Sequence, residues 1–306
     1  MTLVPSYSPP AGDPIGDAVR GRAWTYDSAV TAAALAVSGD IDGAAAILDR
    51  LQELQRPDGA LDASYDLAGG DSAGPLRSGN QAWVGLAALA TGAARHARLL
   101  DGVARWLRGQ REEHGLVRGG PDAPWVSTEH NLEARALFAG LGEDVSRLDR
   151  AIEVYLFAGD HFCQGLGDNV RPLDVQAYGI LWLLGHGRRA HAEAVERATD
   201  AAMFIDGRRL RGQTFCGYRP FAHGPDVLWM EGTLMMRLAK ARLGRDVGAL
   251  DDSADRWAAL TAPEPPLQVD RAAGDDYHVW PAAAPAAWRM LSRSPFALLS
   301  PGAAPG

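Results

Sequence analysis

The segment SGNQAWVGLA, residues 78–87, has the arrangement that decides the fold. Small and polar residues open it, Trp83 follows, and residues 80–91 run on as mostly small and apolar side chains. A run with so few charges is typical of a helix that is buried on most sides. Residues 95–110 come next and are amphipathic, as expected of a helix that covers a buried one from outside.

The same order of motif, apolar helix and amphipathic helix recurs along the chain. The predicted pairs are 24–38 with 41–55, 80–91 with 95–110, 129–140 with 144–158, 174–186 with 190–203, and 227–243 with 248–260, and residues 281–293 supply a sixth apolar helix. No such pair buries its apolar face alone, so we expect one domain of stacked pairs over residues 21–300. Residues 1–20 hold four prolines and two glycines, which predicts an irregular leading arm.

The connections between predicted helices differ in length with their direction. Turns from an apolar helix to its amphipathic partner take about two to five residues, as antiparallel neighbours require. The return connections take about 15–25 residues, and loops of that length usually carry function. Three of them, 56–78, 111–127 and 204–226, have room for short strands. We expect these loops and the motifs to share the rim where the apolar helices begin.

Composition and charge exclude several classes of partner. The chain has 306 residues, 47% hydrophobic and 22% charged, which is ordinary for a globular domain. Its formal charge of -8 gives no electrostatic reason to bind nucleic acid or an anionic membrane. Cys163 and Cys216 make no disulfide framework, and the first residues lack a secretory signal. We therefore expect a cytoplasmic protein with no nucleic-acid or membrane partner.

Seven segments carry a resemblance to a known group of proteins. They are WTYDSA (24–29), QRPDG (55–59), SGNQAWVGLA (78–87), STEHNLEA (127–134), LDVQAYG (173–179), WMEGT (229–233) and HVWP…AW (278–288). Together they resemble the six-hairpin glycosidase-like superfamily. The resemblance implies an all-α fold, an (α/α)6 toroid of alternating inner and outer helices. It also implies carbohydrate-active chemistry, by a hydrolase, a lyase or an epimerase, although related toroids include terpenoid cyclases and prenyltransferase subunits.

Four acidic residues stand near the starts of predicted apolar helices, namely Asp27, Glu129, Asp174 and Glu231. Cleavage of a glycosidic bond takes one carboxylic acid to protonate the leaving oxygen and one carboxylate to activate water or attack the sugar. Their surroundings must push the two pKa values apart. Acids at helix starts also cap free N–H groups, and this alternative stays open for Asp27 and Asp174.

Glu129 and Glu231 are the stronger catalytic candidates. Glu129 lies among polar residues that lead into an apolar helix. Glu231 lies between bulky apolar residues, about a turn after the helix start if Asp226 caps that helix. An isolated acid in such a place is paired or has a raised pKa. We expect Glu129 to be the general acid or base, and Glu231 its partner or a ligand of a substrate hydroxyl.

Aromatic and polar side chains cluster at the same helix starts. Indole rings stack on the C–H faces of sugars while carboxylates and amides bind their hydroxyls, but the same rings also suit a carbocation or the core. The candidate substrate-binding residues are Trp24, Tyr26, Asn80, Trp83, His130, Asn131, Gln176, Trp229, His278 and Trp280. His130 and His278 are also candidate proton shuttles, although a lone histidine is more often structural.

The sequence predicts an enzyme that works without a cofactor or a metal. It has no P-loop and no dinucleotide-binding fingerprint after a strand. Its histidines and cysteines do not have the dense spacing of a metal site. The expected partner is a small-molecule substrate, a saccharide or a glycoconjugate, turned over by carboxylate acid/base catalysis in a central bowl.

Two other functions remain open at this point. Residues 55–59 (QRPDG) resemble a QxxDG turn of terpenoid cyclases, but the chain lacks their DxDD acid motif, and the turn also has a plain structural reading. A cyclase bowl should be walled by apolar aromatics, whereas a sugar bowl should be polar. A non-catalytic binding toroid would instead have its acids capped, paired and pointing away from any cavity.

Overall fold

The computed structural model describes residues 3–210, 212–260 and 280–294. The first helix, α1, is Pro14–Val19. Six inner helices follow in alternation with outer ones: α2 (Thr25–Val37), α4 (Ser78–Ala90), α6 (Thr128–Gly140), α8 (Leu173–Gly185), α10 (Met230–Arg242) and α12 (Ala283–Leu291). The outer helices are α3 (Ile41–Leu54), α5 (Ala97–Arg108), α7 (Ser146–Tyr155), α9 (Arg189–Met203) and α11 (Gly248–Leu260). The predicted alternation is confirmed.

The inner helices form a closed ring. Each packs against the next, and α12 packs against α2, so that the last described helix meets the first of the ring. Each of the first five also packs against the outer helix that follows it. This is the (α/α)6 toroid that the sequence predicted.

Side-chain size and the placement of charges explain why α2 lies inside and α3 outside. The inner helix α2 is rich in alanine and is buried on most sides, because small side chains let neighbouring backbones approach. The outer helix α3 buries one stripe, Ile47, Leu48 and Leu51, and turns its charges outward. The longest described helix, α9, has 15 residues, and no helix in the described ranges is long and apolar enough to cross a bilayer.

Three amide side chains fix the long loops to one rim. Gln81, Asn131 and Gln176 are each the fourth residue of an inner helix, and each both accepts from and donates to the backbone of the loop before it. The loop partners are Leu61, Val117 and Phe162. The long loops therefore gather where the inner helices begin, as their lengths predicted.

Short strands occur in two of the three long loops. Strands β1 (Arg22–Trp24), β2 (Ser64–Asp66) and β3 (Ser72–Ala73) form an antiparallel sheet in that order. Strands β4 (Phe204–Leu210) and β5 (Gln213–Tyr218) form a hairpin. The loop 111–127 has only isolated bridges, among them Arg111 with Val117.

The leading arm is more ordered than predicted. Asp13 accepts hydrogen bonds from the backbone of Ile15 and Gly16, and Pro14 supplies a fixed φ at the first helical position, so residues 14–19 form α1. Before α1, Tyr7 forms a bridge with Ala282. The arm thus pairs with the segment that enters α12 and joins the two ends of the described chain.

The expected cap of α10 is wrong. Asp226 does not cap this helix, because its carboxylate accepts hydrogen bonds or ion pairs from Arg208 at 2.7 Å and from Arg219 at 3.0 Å. The helix begins at Met230, after Trp229, without a side-chain cap. Glu231 is therefore the second residue of α10 and belongs to its first turn.

Candidate active site

The second residues of most inner helices surround a common space. Five of these residues line one cavity of about 280 Å³, which we call the inner chamber: Tyr26, Gly79, Glu129, Asp174 and Glu231. Residues four positions later lie one turn deeper on the same helix face. Glu133 and Met235 belong to this deeper layer and also line the inner chamber, together with Asn80, His130 and Trp229.

The inner chamber continues into a wider cavity of about 570 Å³, which we call the mouth. Glu129, His130 and Asp174 line both cavities. Trp125 stands in the mouth with 48% of its surface exposed. Its ring lies 5.4 Å from that of His130, and Arg77 lies 5.6 Å from its centroid. The mouth therefore presents an aromatic face that solvent or a ligand can reach.

Glu231 is the end of a chain of hydrogen bonds. The Tyr26 hydroxyl donates to Glu231 Oε1 at 2.6 Å, and the indole N–H of Trp288 donates to the Tyr26 oxygen at 3.1 Å. Burial raises the pKa of Glu231 to about 8, and the hydrogen bond from Tyr26 opposes that rise. The carboxyl group is thus oriented by Tyr26 and titrates near neutral pH.

Glu129 and Asp174 differ in how their charge is stabilised. Within the described residues, no group donates a hydrogen bond to the Glu129 carboxyl. Burial and the charges of Asp174, Glu133 and Glu231 raise its pKa well above the usual value. Burial also raises the pKa of Asp174, to about 6, but the backbone N–H of Val175 donates to its Oδ1 at 2.8 Å. Asp174 therefore has a hydrogen-bond donor that stabilises its charge, whereas Glu129 has none among the described residues.

Glu133 is a chamber residue that the sequence analysis missed. Its Oε1 accepts a 2.6 Å hydrogen bond from the indole N–H of Trp83, and its Oε2 is buried without a partner in the described chain. A Cβ on Gly79 would lie 2.8 Å from this Oε2 and 2.5 Å from the His130 ring. Only glycine leaves room for both groups at the start of α4. The available signal was the spacing of four between Glu129 and Glu133.

His130 is a neutral group at neutral pH. Burial, with a smaller effect of Arg77, lowers its pKa to about 4. Its Nδ1 is buried and has no hydrogen-bond partner in the described chain. His130 lines the inner chamber, and an uncharged imidazole can accept a hydrogen bond through its unprotonated ring nitrogen.

Several predicted site residues lie outside both cavities. The prediction that Asn131 and Gln176 bind substrate is wrong, because their amides are hydrogen-bonded to the loop backbone. Trp83 is fully buried, and it supports Glu133 from behind instead of facing a ligand. Asp27 is 5% exposed and lines neither cavity. Burial raises the Asp27 pKa to about 7, and a hydrogen bond with Ser6 opposes the rise.

Trp24 and Trp280, which were also predicted to bind substrate, line neither cavity. Both rings pack against Tyr7 of the leading arm, with centroids 5.5 Å and 6.3 Å from the Tyr7 ring. Burial and the charges of Asp27 and Glu231 raise the pKa of Tyr7, which therefore lies near these acids. No pattern in the sequence places an arm residue there. His278, the remaining candidate, lies outside the described residues.

The QRPDG segment is structural. The Gln55 side chain donates to the carbonyl oxygens of Gly59 and Leu99, at 2.9 Å and 3.0 Å. Gly59 has a φ of 96°, and a Cβ there would lie 2.4 Å from the carbonyl oxygen of Gly102. The turn therefore joins the end of α3 to α5 and contributes nothing to the inner chamber.

The part of the chain that the structure describes holds no cluster of metal ligands. No group of three or more His, Cys, Asp or Glu side chains in that part has the arrangement to hold an ion. The acids of the inner chamber come from three different helices and surround a space instead of converging on a point. The arrangement suits an organic ligand.

Solved structures share this architecture. A glycosidase variant in complex with glucose matches with a TM-score of 0.72 and 13% identity, over 95% of this chain and 90% of that one. The chain has the (α/α)6 toroid fold. A D-mannose isomerase matches with a TM-score of 0.68 and 14% identity, over 95% and 90%. A bacterial glucoamylase complexed with acarbose matches at 0.68 and 12%, over 92% of this chain and 50% of that one.

These likenesses concern the fold. No family model matches the chain, and no curated protein matches it either. At 12–14% identity, these structures confirm the fold prediction alone.

Proposed function

We propose that this protein is a glycoside hydrolase that cleaves a small saccharide or glycoconjugate in the inner chamber. The observation that carries the proposal is the convergence of Glu129, Asp174 and Glu231, one from each of three consecutive inner helices, on one cavity. Their surroundings give them different tendencies to ionise. Different pKa values in one site are what acid and base roles require.

Glu129 is suited to be the general acid. Its carboxyl group is held in the protonated form by burial and by the charge of neighbouring Asp174. It lines both the inner chamber and the mouth, so it lies where a sugar in the chamber would join a leaving group in the mouth. In this role Glu129 donates its proton to the glycosidic oxygen as the bond to the anomeric carbon breaks.

Glu231 is suited to be the partner carboxylate. It lies on α10, separated from Glu129 on α6 by the intervening helix α8, so the two groups approach a bound sugar from different sides. The hydrogen bond from Tyr26 stabilises its ionised form. Glu231 activates water or attacks the anomeric carbon, and Asp174 between them stabilises positive charge on the sugar.

The size of the two cavities supports a substrate of a few rings. Ligand pockets usually have volumes of roughly 300–1,000 Å³; the inner chamber at about 280 Å³ lies just below that range, and the mouth at about 570 Å³ lies within it. Asn80 and Trp229 in the chamber offer an amide and an indole to a sugar, and Trp125 offers a stacking face in the mouth. The glucose-bound glycosidase with this fold adds an analogy.

Elimination from a uronate fits the chamber less well. That reaction needs a cation or an amide to neutralise the uronate carboxylate. Arg77 pairs with Asp122 at 2.9 Å, Arg219 pairs with Asp226, and the Asn131 amide binds loop backbone, so the Asn80 amide in the chamber would have to neutralise the carboxylate without help from these groups. An acidic chamber would repel the substrate of a lyase.

The other two hypotheses also lose support. Carboxyl groups on three helices make a polar bowl, whereas a terpenoid cyclase needs apolar walls, and the QRPDG turn lies elsewhere. A non-catalytic toroid would point its acids away from cavities, whereas Glu129, Asp174 and Glu231 line one. Hydrolysis accounts for these features with the fewest assumptions.

An aldose–ketose isomerase is the second candidate, because of His130. Its imidazole is neutral at pH 7, it lines the chamber, and its Nδ1 has no partner among the described residues. Such a group can move a proton between adjacent sugar carbons. The D-mannose isomerase with this fold makes the comparison relevant.

One experiment separates these functions. The purified protein is incubated with a panel of 4-nitrophenyl glycosides, with free mannose and glucose, and with geranylgeranyl diphosphate. We expect nitrophenol release from at least one glycoside, and loss of that release in Glu129→Gln with unchanged circular dichroism. Ketose formation from a free aldose without glycoside cleavage would favour the isomerase. Full turnover in both Glu129→Gln and Glu231→Gln would reject the assignment.

A further inference from the structure

The inner chamber has more carboxyl groups than cleavage uses. Glu129, Asp174 and Glu231 have roles in the proposed reaction, but Glu133 lines the same chamber and has none. Asp27 lies close enough for its charge to raise the pKa of Glu231. Within the described residues, no Lys or Arg forms an ion pair with any of these five acids. The surplus of unpaired acids calls for a separate explanation.

Two buried polar atoms, one on a chamber residue and one on the helix α8 that carries Asp174, have no hydrogen-bond partner among the described residues. Glu133 is 1% exposed, and its Oε2 accepts no hydrogen bond from a described residue. Tyr178 is also 1% exposed, and its hydroxyl has no partner there either. Burial raises the pKa of Tyr178, and the charges of Glu133, Glu129, Asp174 and Glu231 raise it further. Buried polar atoms are almost always satisfied, so these point to groups on a ligand.

The geometry selects the kind of ligand group. Burial raises the pKa of Glu133, so its ionised form, in which Oε2 is an acceptor without a donor, lacks stabilisation at that atom by the described residues, and a cationic donor would supply it. The acids surround a space of about 280 Å³ instead of meeting around a metal-sized point. An ammonium group carries one positive charge and three N–H donors, and therefore fits acceptors that approach from several sides.

We propose that the sugar unit held in the inner chamber carries a free ammonium group, which donates hydrogen bonds to Glu133 Oε2 and to neighbouring carboxyl groups. The substrate class is then an amino sugar glycoside with an unacylated amine. This substrate rests on the proposed function, whereas the recognition of an ammonium does not. N-Acetylation removes the charge, and a uronate adds repulsion, so the chamber discriminates against both.

Binding of a cation must also displace protons. The titratable groups around the chamber are Tyr26 and Asp27 on α2, Glu129, His130 and Glu133 on α6, Asp174 and Tyr178 on α8, Glu231 on α10, and Tyr7 of the arm. The helices α4 and α12 contribute Asn80 and Trp288, which do not titrate. An ammonium favours the ionised carboxyls, so its binding lowers their pKa values and releases protons.

Calorimetry tests this recognition directly. The probes are glucose, its 2-amino, 3-amino and 6-amino deoxy derivatives, and N-acetylglucosamine, titrated at pH 7 in two buffers of different ionisation enthalpy. We expect at least one amino sugar to bind about tenfold or more tightly than glucose, the gain typical of one charge-assisted hydrogen bond. Its binding should release protons, whereas binding of glucose and N-acetylglucosamine should not.

Variants assign the effect to Glu133. In Glu133→Gln the side-chain oxygen still accepts from Trp83 but the charge is gone, and the preference for the amino sugar over glucose should fall about tenfold. Glu53→Gln is the matched control, because this glutamate is exposed on α3, and the preference should not change. If no amino sugar binds more tightly than glucose to the wild type, the inference is wrong.

The outcome distinguishes this inference from the proposed function. Cleavage of neutral glycosides without any preference for an amine would reject the ammonium site and leave the hydrolase. Tight binding of an amino sugar with proton release, but without cleavage of any glycoside, would reject the hydrolase and keep the ammonium site.

Discussion

Among the described residues, carboxyl groups between the inner and outer helices are paired with arginines, whereas those in the inner chamber are not. Asp149 on α7 accepts two hydrogen bonds from Arg135 on α6, at 2.8 Å and 3.0 Å. Asp251 on α11 accepts two from Arg237 on α10, at 3.1 Å and 2.7 Å. Both arginines are the eighth residue of their helix. The same hairpin contact is therefore repeated.

The pKa values separate in the same way. Burial alone would raise the pKa of Asp149, but hydrogen bonds from His186 and Arg135 hold it below the usual value. In the chamber, burial raises the pKa of Glu231 and no arginine opposes it. The fold thus uses paired carboxylates to hold hairpins together and leaves unpaired ones where a ligand can reach them. Unpaired buried acids reduce stability, so their presence indicates function.

The largest expected effect is on turnover. Glu129→Gln removes the proton that the leaving oxygen needs, and general acid catalysis is typically worth about 10²–10⁴-fold in rate. We expect kcat/KM on a cleaved aryl glycoside to fall by that factor, with the unfolding midpoint unchanged or raised. Glu53→Gln on the outer surface is the control for the loss of one charge, and it should keep full activity.

Removing the arginine partner of a paired acid should instead reduce the stability of the fold. Arg237→Met leaves Asp251, 26% exposed, with only its contact to Arg293, and we expect a loss of about 2–3 kcal/mol in the free energy of unfolding. Urea denaturation measures it. The exposed pair of Arg50 and Glu53 gives the control, because Arg50→Met should cost about 0.5 kcal/mol or less. Equal losses of unfolding free energy in the two variants would show that the Arg237–Asp251 pair stabilises the fold no more than an exposed pair does.

The pH dependence of stability provides a third comparison. The folded pKa of Glu231 is raised to about 8, so the folded state keeps a proton that the unfolded state has lost. Stability from this group is complete below the unfolded pKa and is lost as pH rises to about 8. Between about pH 5 and 8, wild type should lose on the order of 2 kcal/mol more than Glu231→Gln. If stability changes with pH by the same amount in wild type and Glu231→Gln, the pKa of Glu231 is not raised by folding.

The smallest effect is a shift in the pH–activity profile. Activity should rise with pH as Glu231 ionises, with a limb near its pKa of about 8. Tyr26→Phe removes a hydrogen bond that favours the ionised form. The pKa of Glu231 then rises, and the limb of kcat/KM should move upward by about one pH unit. If the limb does not move in Tyr26→Phe, the hydrogen bond from Tyr26 does not control the pKa of the group that titrates.

The sequence predicted the alternating helices because their pattern is local. The limits of α11 were predicted as residues 248–260, and the structure gives the same range. The roles of individual side chains were harder to predict, because they depend on the rotation of each helix about its axis. The second residue of α6, Glu129, faces the chamber, whereas the fourth, Asn131, faces the preceding loop. Both looked alike as polar residues at a helix start.

Glu133 and Tyr7 differ in whether the sequence could have predicted their place near the chamber. Glu133 shares a helix face with Glu129 and was within reach of the spacing rule. Tyr7 was not, because its place near the acids depends on the arm pairing with residues 281–283, almost the whole chain away. Long-range pairing of an irregular segment leaves no periodic signal.

The hydrogen bonds behind Glu231 have a consequence for folding. Trp288 donates to Tyr26 across 262 positions of sequence, and Tyr26 donates to Glu231 across 205. Contacts of such separation form late, because long stretches of chain must be ordered first. Hairpins built from neighbouring helices gain their contacts earlier. Competence for the reaction should therefore appear as one of the last events of refolding, after most helical signal has returned.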